Sequence, residues 1–160
     1  MMGTLERAIE IAVQAHCGQV DKEGQPYILH PLRVMQAVEG TEAKIVGVLH
    51  DVVEDTAVTL ADLAAAGFSE PILAAVALVT HNKATPYAEY VIRCQANPLA
   101  LAVKLADLTD NTRPDRVLFR ADRIERDLAR IRRYLLSYKF LTGHITEVDY
   151  RRLMGMEELP

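Results

Sequence analysis

The segment LHDVVEDT, residues 49–56, gathers His50, Asp51, Glu54 and Asp55 at the end of an otherwise apolar stretch. Three carboxylates so close repel one another, and each loses hydration if buried, so positive charge belongs among them. In a continuous helix His50 stands one turn from Glu54 and Asp51 one turn from Asp55, which makes two adjacent polar rows. A second interruption of an apolar helix is VKLADLTDN, residues 103–111, where Asp107 and Asn111 are one turn apart and Lys104 shares their face. The third piece is His30, whose backbone is restricted by the ring of Pro31.

Together His30, His50, Asp51 and Asp107 supply two imidazoles and two carboxylates. Mixed nitrogen and oxygen ligation of this kind suits one divalent transition metal, and the absence of thiolates favours Mn²⁺. Glu54 and Asp55 are then left beside the ligands, able to orient or deprotonate a metal-bound water. Each piece alone has a plainer reading. A lone His-Asp dipeptide is common, His30 can cap a helix, and Lys104 with Asp107 can be an i,i+3 ion pair. The ordered set is what points to a metal centre. His16 reads as a hydrogen-bonded structural histidine, and His81 and His144 as surface residues.

The elements that must position these residues are helical. Thr4 can cap a first helix with Leu5, Ala8, Ile9, Ala12 and Val13 on one face. CGQVDKEGQPY then breaks periodicity as a loop. Pro31 fits the first turn of a second helix that Gly40 can end, and Thr41 opens the buried helix that runs into the acidic cluster. Thr59 to Asp62 has the form of a capping box, and Ser69-Glu70-Pro71, Pro86 and Asn97-Pro98 mark further starts. A long amphipathic helix is predicted over 116–141, with Arg116, Arg120, Arg123, Arg126, Arg130 and Arg133 as a solvated face. Thr146 caps a last short helix. No segment alternates with period two, so the fold class is all-α, a helical bundle in one domain over 1–160.

Bulk properties narrow the function. Of 160 residues half are hydrophobic and a quarter charged, an ordinary globular composition. A net charge of −4 gives no general electrostatic case for nucleic acid or an anionic membrane surface. The N-terminus reads as an amphipathic helix and not a signal peptide, and no apolar run approaches the ~20 residues needed to span a bilayer. The two cysteines lack metal-site spacing, which fits a cytosolic setting.

Three stretches in order, AHCGQVDKEGQPYILHPLRV, LHDVVEDT and VKLADLTDN, resemble the HD-superfamily hydrolase domain of the RelA/SpoT type over about residues 1–140, leaving 141–160 as a helical extension. The resemblance implies the HD fold, ligation by His30, His50, Asp51 and Asp107, and assistance to the hydrolytic water by Glu54 and Asp55. It further implies that Lys22 and Asn111 face the substrate, and that the activity is Mn²⁺-dependent removal of pyrophosphate from the 3′ position of ppGpp. One departure stands out: where the family loop usually reads Arg-Lys, this chain has Asp21-Lys22. That places a carboxylate where a guanidinium would meet the guanine base, so Asp21→Arg is expected to improve binding of an anionic nucleotide. The alternatives are a hydrolase of another phosphorylated metabolite, such as a nucleoside monophosphate or a dinucleotide cofactor, and a sensor that binds metal and nucleotide without turnover.

Overall fold

The Thr4 hydroxyl accepts the Arg7 N–H and starts α1, Leu5–Ala15, whose Ala8 and Ala12 are fully buried. In the computed structural model, which describes residues 3–156, nine further helices follow. They are α2 (Leu29–Ala37), α3 (Thr41–Leu49), α4 (Val52–Asp55), α5 (Leu60–Ala65), α6 (Glu70–Val79), α7 (Tyr87–Cys94), α8 (Pro98–Asn111), α9 (Ile124–Leu141) and α10 (Glu147–Leu153). Among the described residues the extended pairing is confined to a single bridge, Val20 with Pro26, in the α1–α2 loop. The all-α expectation therefore holds. The ends of the 1–160 span, residues 1–2 and 157–160, lie outside the described residues.

Two apolar cores divide the helices. One joins α1, α2, α3, α5 and α6 around Val34, Val46, Leu49 and Leu63; the other joins α7, α9 and α10 around Val91, Phe140 and Tyr150. Helix α8 serves both, burying Ala100 and Val103 in the first and Leu108 in the second. Its start is fixed by Asn97, whose side-chain oxygen accepts the N–H groups of Leu99 and Ala100, with Pro98 at the first helical position. A helix shared by two cores is held at both ends, which makes it a rigid carrier for Lys104, Asp107, Asp110 and Asn111. The expected capping box forms, with Thr59 and Asp62 satisfying each other.

Helices α2 and α3 meet at Gly47. A Cβ there would lie 3.1 Å from the Met35 Cα, so the glycine is what lets the two backbones approach. That approach brings the rings of His30 on α2 and His50 after α3 to a centroid separation of 5.1 Å.

Two expected helices are shorter than their periodicity suggests. The predicted continuous run through the acidic cluster breaks at His50-Asp51, separating α3 from α4. The His50 Nδ1 lies 2.7 Å from the Gly47 carbonyl oxygen, the acceptor that an unbroken helix would give to the Asp51 N–H. The predicted helix over 116–141 begins only at Ile124. The buried Asp127 carboxylate accepts the Arg120 N–H at 3.1 Å and two guanidinium bonds, at 3.0 and 2.6 Å. Folding the preceding chain back onto the helix start adds these bonds to the 3.3 Å contact that Arg130, within the helix, makes with the same buried carboxylate. Tyr150 anchors α10, sharing a 2.8 Å hydrogen bond with Ser137 and stacking on Phe140.

Candidate metal centre and nucleotide cleft

A cleft of about 500 Å³ opens between the two cores, and every site residue singled out from the sequence lines it except His50, which lies buried just beneath. His30, His50 and Asp107 each turn a ligand atom into a cluster within 4.8 Å. Asp51 completes the group from the α3–α4 break, its Oδ2 lying 3.0 Å from His50 Nε2 and 3.6 Å from His30 Nε2. Asp107 Oδ1 is 3.3 Å from His30 Nε2 and 3.9 Å from His50 Nε2.

Hydrogen bonds at the far side of each ring decide where the lone pairs point. His50 Nδ1 meets the Gly47 carbonyl and must donate to it. His30 Nδ1 lies 2.7 Å from Asp110 Oδ2, where a nitrogen lone pair would be repelled; Arg116 Nη1, 3.1 Å from the same nitrogen, already donates to that Oδ2. Both rings thus carry the Nδ1 proton and aim the Nε2 lone pair at Asp51 and Asp107. The His50 Nε2 is buried without an aligned hydrogen-bond partner despite the nearby carboxylate. Lone pairs facing carboxylates at 3.0–3.9 Å are unfavourable until a cation or protons lie between them. A divalent cation fits this donor set.

The electrostatics of the metal-free chain express the same demand. Burial works against the charged form of His50, yet the Asp51 and Asp107 carboxylates outweigh it and raise its pKa from 6.5 to about 9. His30 is raised in the same way, the carboxylates of Asp107 and Asp110 overcoming its burial. Asp51 and Asp107 are displaced downwards: burial disfavours their charge, but the imidazoles around both and the Lys104 ammonium beside Asp107 prevail. Lys104 Nζ donates to Asp107 Oδ2 at 2.8 Å, and Asn111 donates to Oδ1 at 2.5 Å, so Asp107 is held from both sides. The i,i+3 ion pair and the ligand position are therefore one arrangement.

Glu54 and Asp55 stand outside this cluster. Glu54 Oε2 accepts the His81 N–H at 2.7 Å, and burial raises its pKa against that bond. Asp55 is likewise raised by burial and by the Asp51 charge. Tyr27, which sequence reasoning missed, donates to Asp51 Oδ2 at 2.5 Å and reaches Asp55 at 3.4 Å.

The opposite wall is basic and aromatic, built by Lys22, Arg130, Arg133 and Tyr134 with Tyr87 and Tyr90. The Lys22 pKa is lowered, first by burial and then by Arg130, Arg120 and Arg133. The Arg133 guanidinium lies 4.4 Å from the Tyr87 ring centroid, and Lys104 Nζ 4.9 Å from that of Tyr90. The solvated face expected of the arginines thus fails at four positions: Arg116, Arg130 and Arg133 line the cleft, and Arg120 binds the buried Asp127. His81, expected at the surface, also lines it, while His16 is hydrogen-bonded to Gln19 as expected and His144 is exposed.

Asp21 reaches the cleft but does not face it with free charge. Its Oδ1 accepts the N–H groups of Glu23 and Gln25, both at 2.9 Å, and its Oδ2 lies 3.7 Å from Arg116. Asn111 lines the cleft while spending a donor on Asp107.

No family model matches the chain. Among curated proteins it is 36% identical over 129 residues to a GTP pyrophosphokinase of Streptomyces coelicolor, covering 72% of this chain and 15% of that protein. It is 31% identical over 121 residues to a guanosine-3′,5′-bis(diphosphate) 3′-pyrophosphohydrolase of Aquifex aeolicus, covering 68% of this chain and 17% of the relative. The chain therefore spans less than a fifth of the length of these relatives. A solved structure of a metazoan ortholog of SpoT that hydrolyses ppGpp aligns over 96% of both chains with a TM-score of 0.68 at 20% identity. The chain is an HD domain of the RelA/SpoT type. In this HD domain none of the described helices is long and apolar enough to cross a membrane.

Two outcomes are expected. The raised histidines stabilise the metal-free fold fully below 6.5, and that contribution is lost as pH rises through about 9. The lowered aspartates act at the other end, stabilising above 3.8 and failing as pH falls below it. Urea unfolding of metal-free protein should show stability falling by on the order of 2 kcal/mol between pH 6 and pH 9, and a flat profile contradicts the lone-pair geometry. For Asp21→Arg the structure shows a cost to the fold that the sequence does not. The change removes two turn hydrogen bonds and sets two guanidiniums together, so a loss of roughly 1–3 kcal/mol is expected; an undiminished melting temperature would refute that.

Proposed function

We propose that this HD domain is a metal-dependent phosphohydrolase that removes pyrophosphate from the 3′ position of ppGpp. The observation that carries the reading is the polarity of the cleft: two imidazole lone pairs and two carboxylates on its floor, facing a wall of lysine and arginine. The names of the relatives favour ppGpp within the wider class of nucleotide substrates. His30, His50, Asp51 and Asp107 would hold one divalent cation, with Mn²⁺ first among candidates on donor type. Such a cation supplies Lewis acidity and lowers the pKa of water.

The chain's own residues have separate tasks. Lys22, Arg130 and Arg133 neutralise phosphate charge and set the substrate against the floor. Glu54, whose affinity for a proton is increased by burial, takes a proton from the attacking water at its carboxylate. Asp55, tied to Tyr27, fixes the water's orientation from the other side. Water adds to the phosphorus, the bond to the ribose 3′ oxygen breaks, and that oxygen leaves with a proton, giving GDP and pyrophosphate. The unpaired cysteines fit a cytosolic setting for this chemistry.

Purified protein supplied with Mn²⁺ and ppGpp is expected to release pyrophosphate and GDP by chromatography. Glu54→Gln should keep its bound metal and fold while kcat drops by ~10²–10⁴. Absence of turnover on ppGpp, alongside turnover of another nucleotide in a parallel panel, would overturn the substrate assignment. Loss of metal from Glu54→Gln would instead overturn its place outside the coordination sphere.

A further inference from the structure

Behind His30, on the side away from the cleft floor, a buried carboxylate is held by three charged or ionisable side chains. Asp110 Oδ2 takes the His30 Nδ1 contact at 2.7 Å. Arg33 binds the same carboxylate in a fork, Nε to Oδ1 at 2.7 Å and Nη2 to Oδ2 at 3.1 Å. Arg116 adds a third partner through Nη1 to Oδ2, and its Nη2 reaches back 3.7 Å to Asp21 in the α1–α2 loop. All of this is largely enclosed, the side chains of Asp110, Arg116 and Asp21 being 6%, 13% and 10% exposed.

We infer that Asp110 is a positioning residue that fixes the tautomer and aim of His30, and that Arg33, Arg116 and Asp21 form the clamp that holds Asp110 in place. This rests on the metal-centre reading above. The chemistry follows from charge and geometry. A carboxylate at Nδ1 keeps the proton there and leaves Nε2 free to ligate, and it raises the basicity of the ring. Left alone, a carboxylate in that enclosure would swing towards solvent or draw the proton to itself. Two guanidiniums remove both options: the Arg33 fork sets the plane of the carboxylate, and Arg116 supplies a second positive charge to its Oδ2. His50 needs no such clamp, because its Nδ1 donates to a backbone carbonyl already fixed in α3. The two ligating histidines are therefore oriented by different means, one by the main chain and one by a network of side chains.

Asp21 acquires a role in this scheme. Its contacts run to the loop backbone and to Arg116, so the loop at the cleft mouth and the orientation of His30 share one ion-pair chain.

The test is Mn²⁺ binding to metal-free protein by calorimetry, with no substrate present. Asp110→Ala should raise the Mn²⁺ Kd by about 10- to 100-fold. Asp110→Asn is nearly isosteric and keeps an acceptor oxygen without the charge, so it should raise the Kd by roughly 3- to 10-fold. If Asp110→Ala does not fold, Asp110→Asn carries the test. Nitrogen-15 spectra of the histidine rings in Zn²⁺-loaded protein give the second readout. In the wild type both rings should show a protonated Nδ1 and a ligated Nε2, and in the variants His30 should change while His50 stays as it was. An unchanged Mn²⁺ Kd in a folded variant overturns the inference. Equal disturbance of both rings does so too, since it marks a loss of general packing. Wild-type protein that binds no Mn²⁺ overturns the metal-centre reading itself, and the inference with it.

Discussion

The carboxylate of Asp107 is enclosed, charged and held on the one helix that both cores share. Its burial alone would favour the neutral form, and only the ammonium of Lys104 and the imidazoles of His30 and His50 keep it ionised. Removing a partner from a buried charge costs far more than an exposed ion pair is worth. The position of α8 is thus coupled to the positions of α2 and α3. The close approach at Gly47 completes that coupling by letting both imidazoles reach the same carboxylate.

From this constraint the cleft takes its polarity. Negative charge collects on the floor because α3, α4 and α8 bring Asp51, Glu54, Asp55 and Asp107 together. Positive charge collects on the wall because α9 and the loop after α1 bring Arg130, Arg133 and Lys22. A divalent cation on the floor would offset half of the charge of these four carboxylates, so that the ion and the basic wall together present positive charge to a ligand. A polyphosphate is the kind of ligand such a cavity attracts, and a polyphosphate bridging wall and floor would have its scissile bond beside Glu54.

What the sequence made legible was the part governed by local spacing. His50 with Asp51, and Asp107 with Asn111 and Lys104, showed as polar interruptions in apolar helices, and the starts at Thr4, Thr59 and Asn97 showed as caps. What stayed hidden depends on partners distant in the chain. Asp110 meets Arg33 across 77 positions and His30 across 80. Neither Arg33 nor Arg116 carries a local signal that marks it as a partner of Asp110. The helix break at His50 and the late start of α9 share a physical cause: a side chain takes over, or is satisfied by, a main-chain group that periodicity assigns to the helix. Asp21 was conspicuous by its type, but its turn contacts and its link to Arg116 give that carboxylate a structural task that spacing does not reveal.

The central claim, that the floor of the cleft is one metal centre built on Asp51, Asp107 and two oriented imidazoles, is tested most directly by metal stoichiometry. Protein reconstituted with Mn²⁺ and freed of excess metal should contain one ion per chain by elemental analysis. Folded Asp51→Asn and Asp107→Asn proteins should retain little or none. Undiminished stoichiometry in both variants would contradict the account.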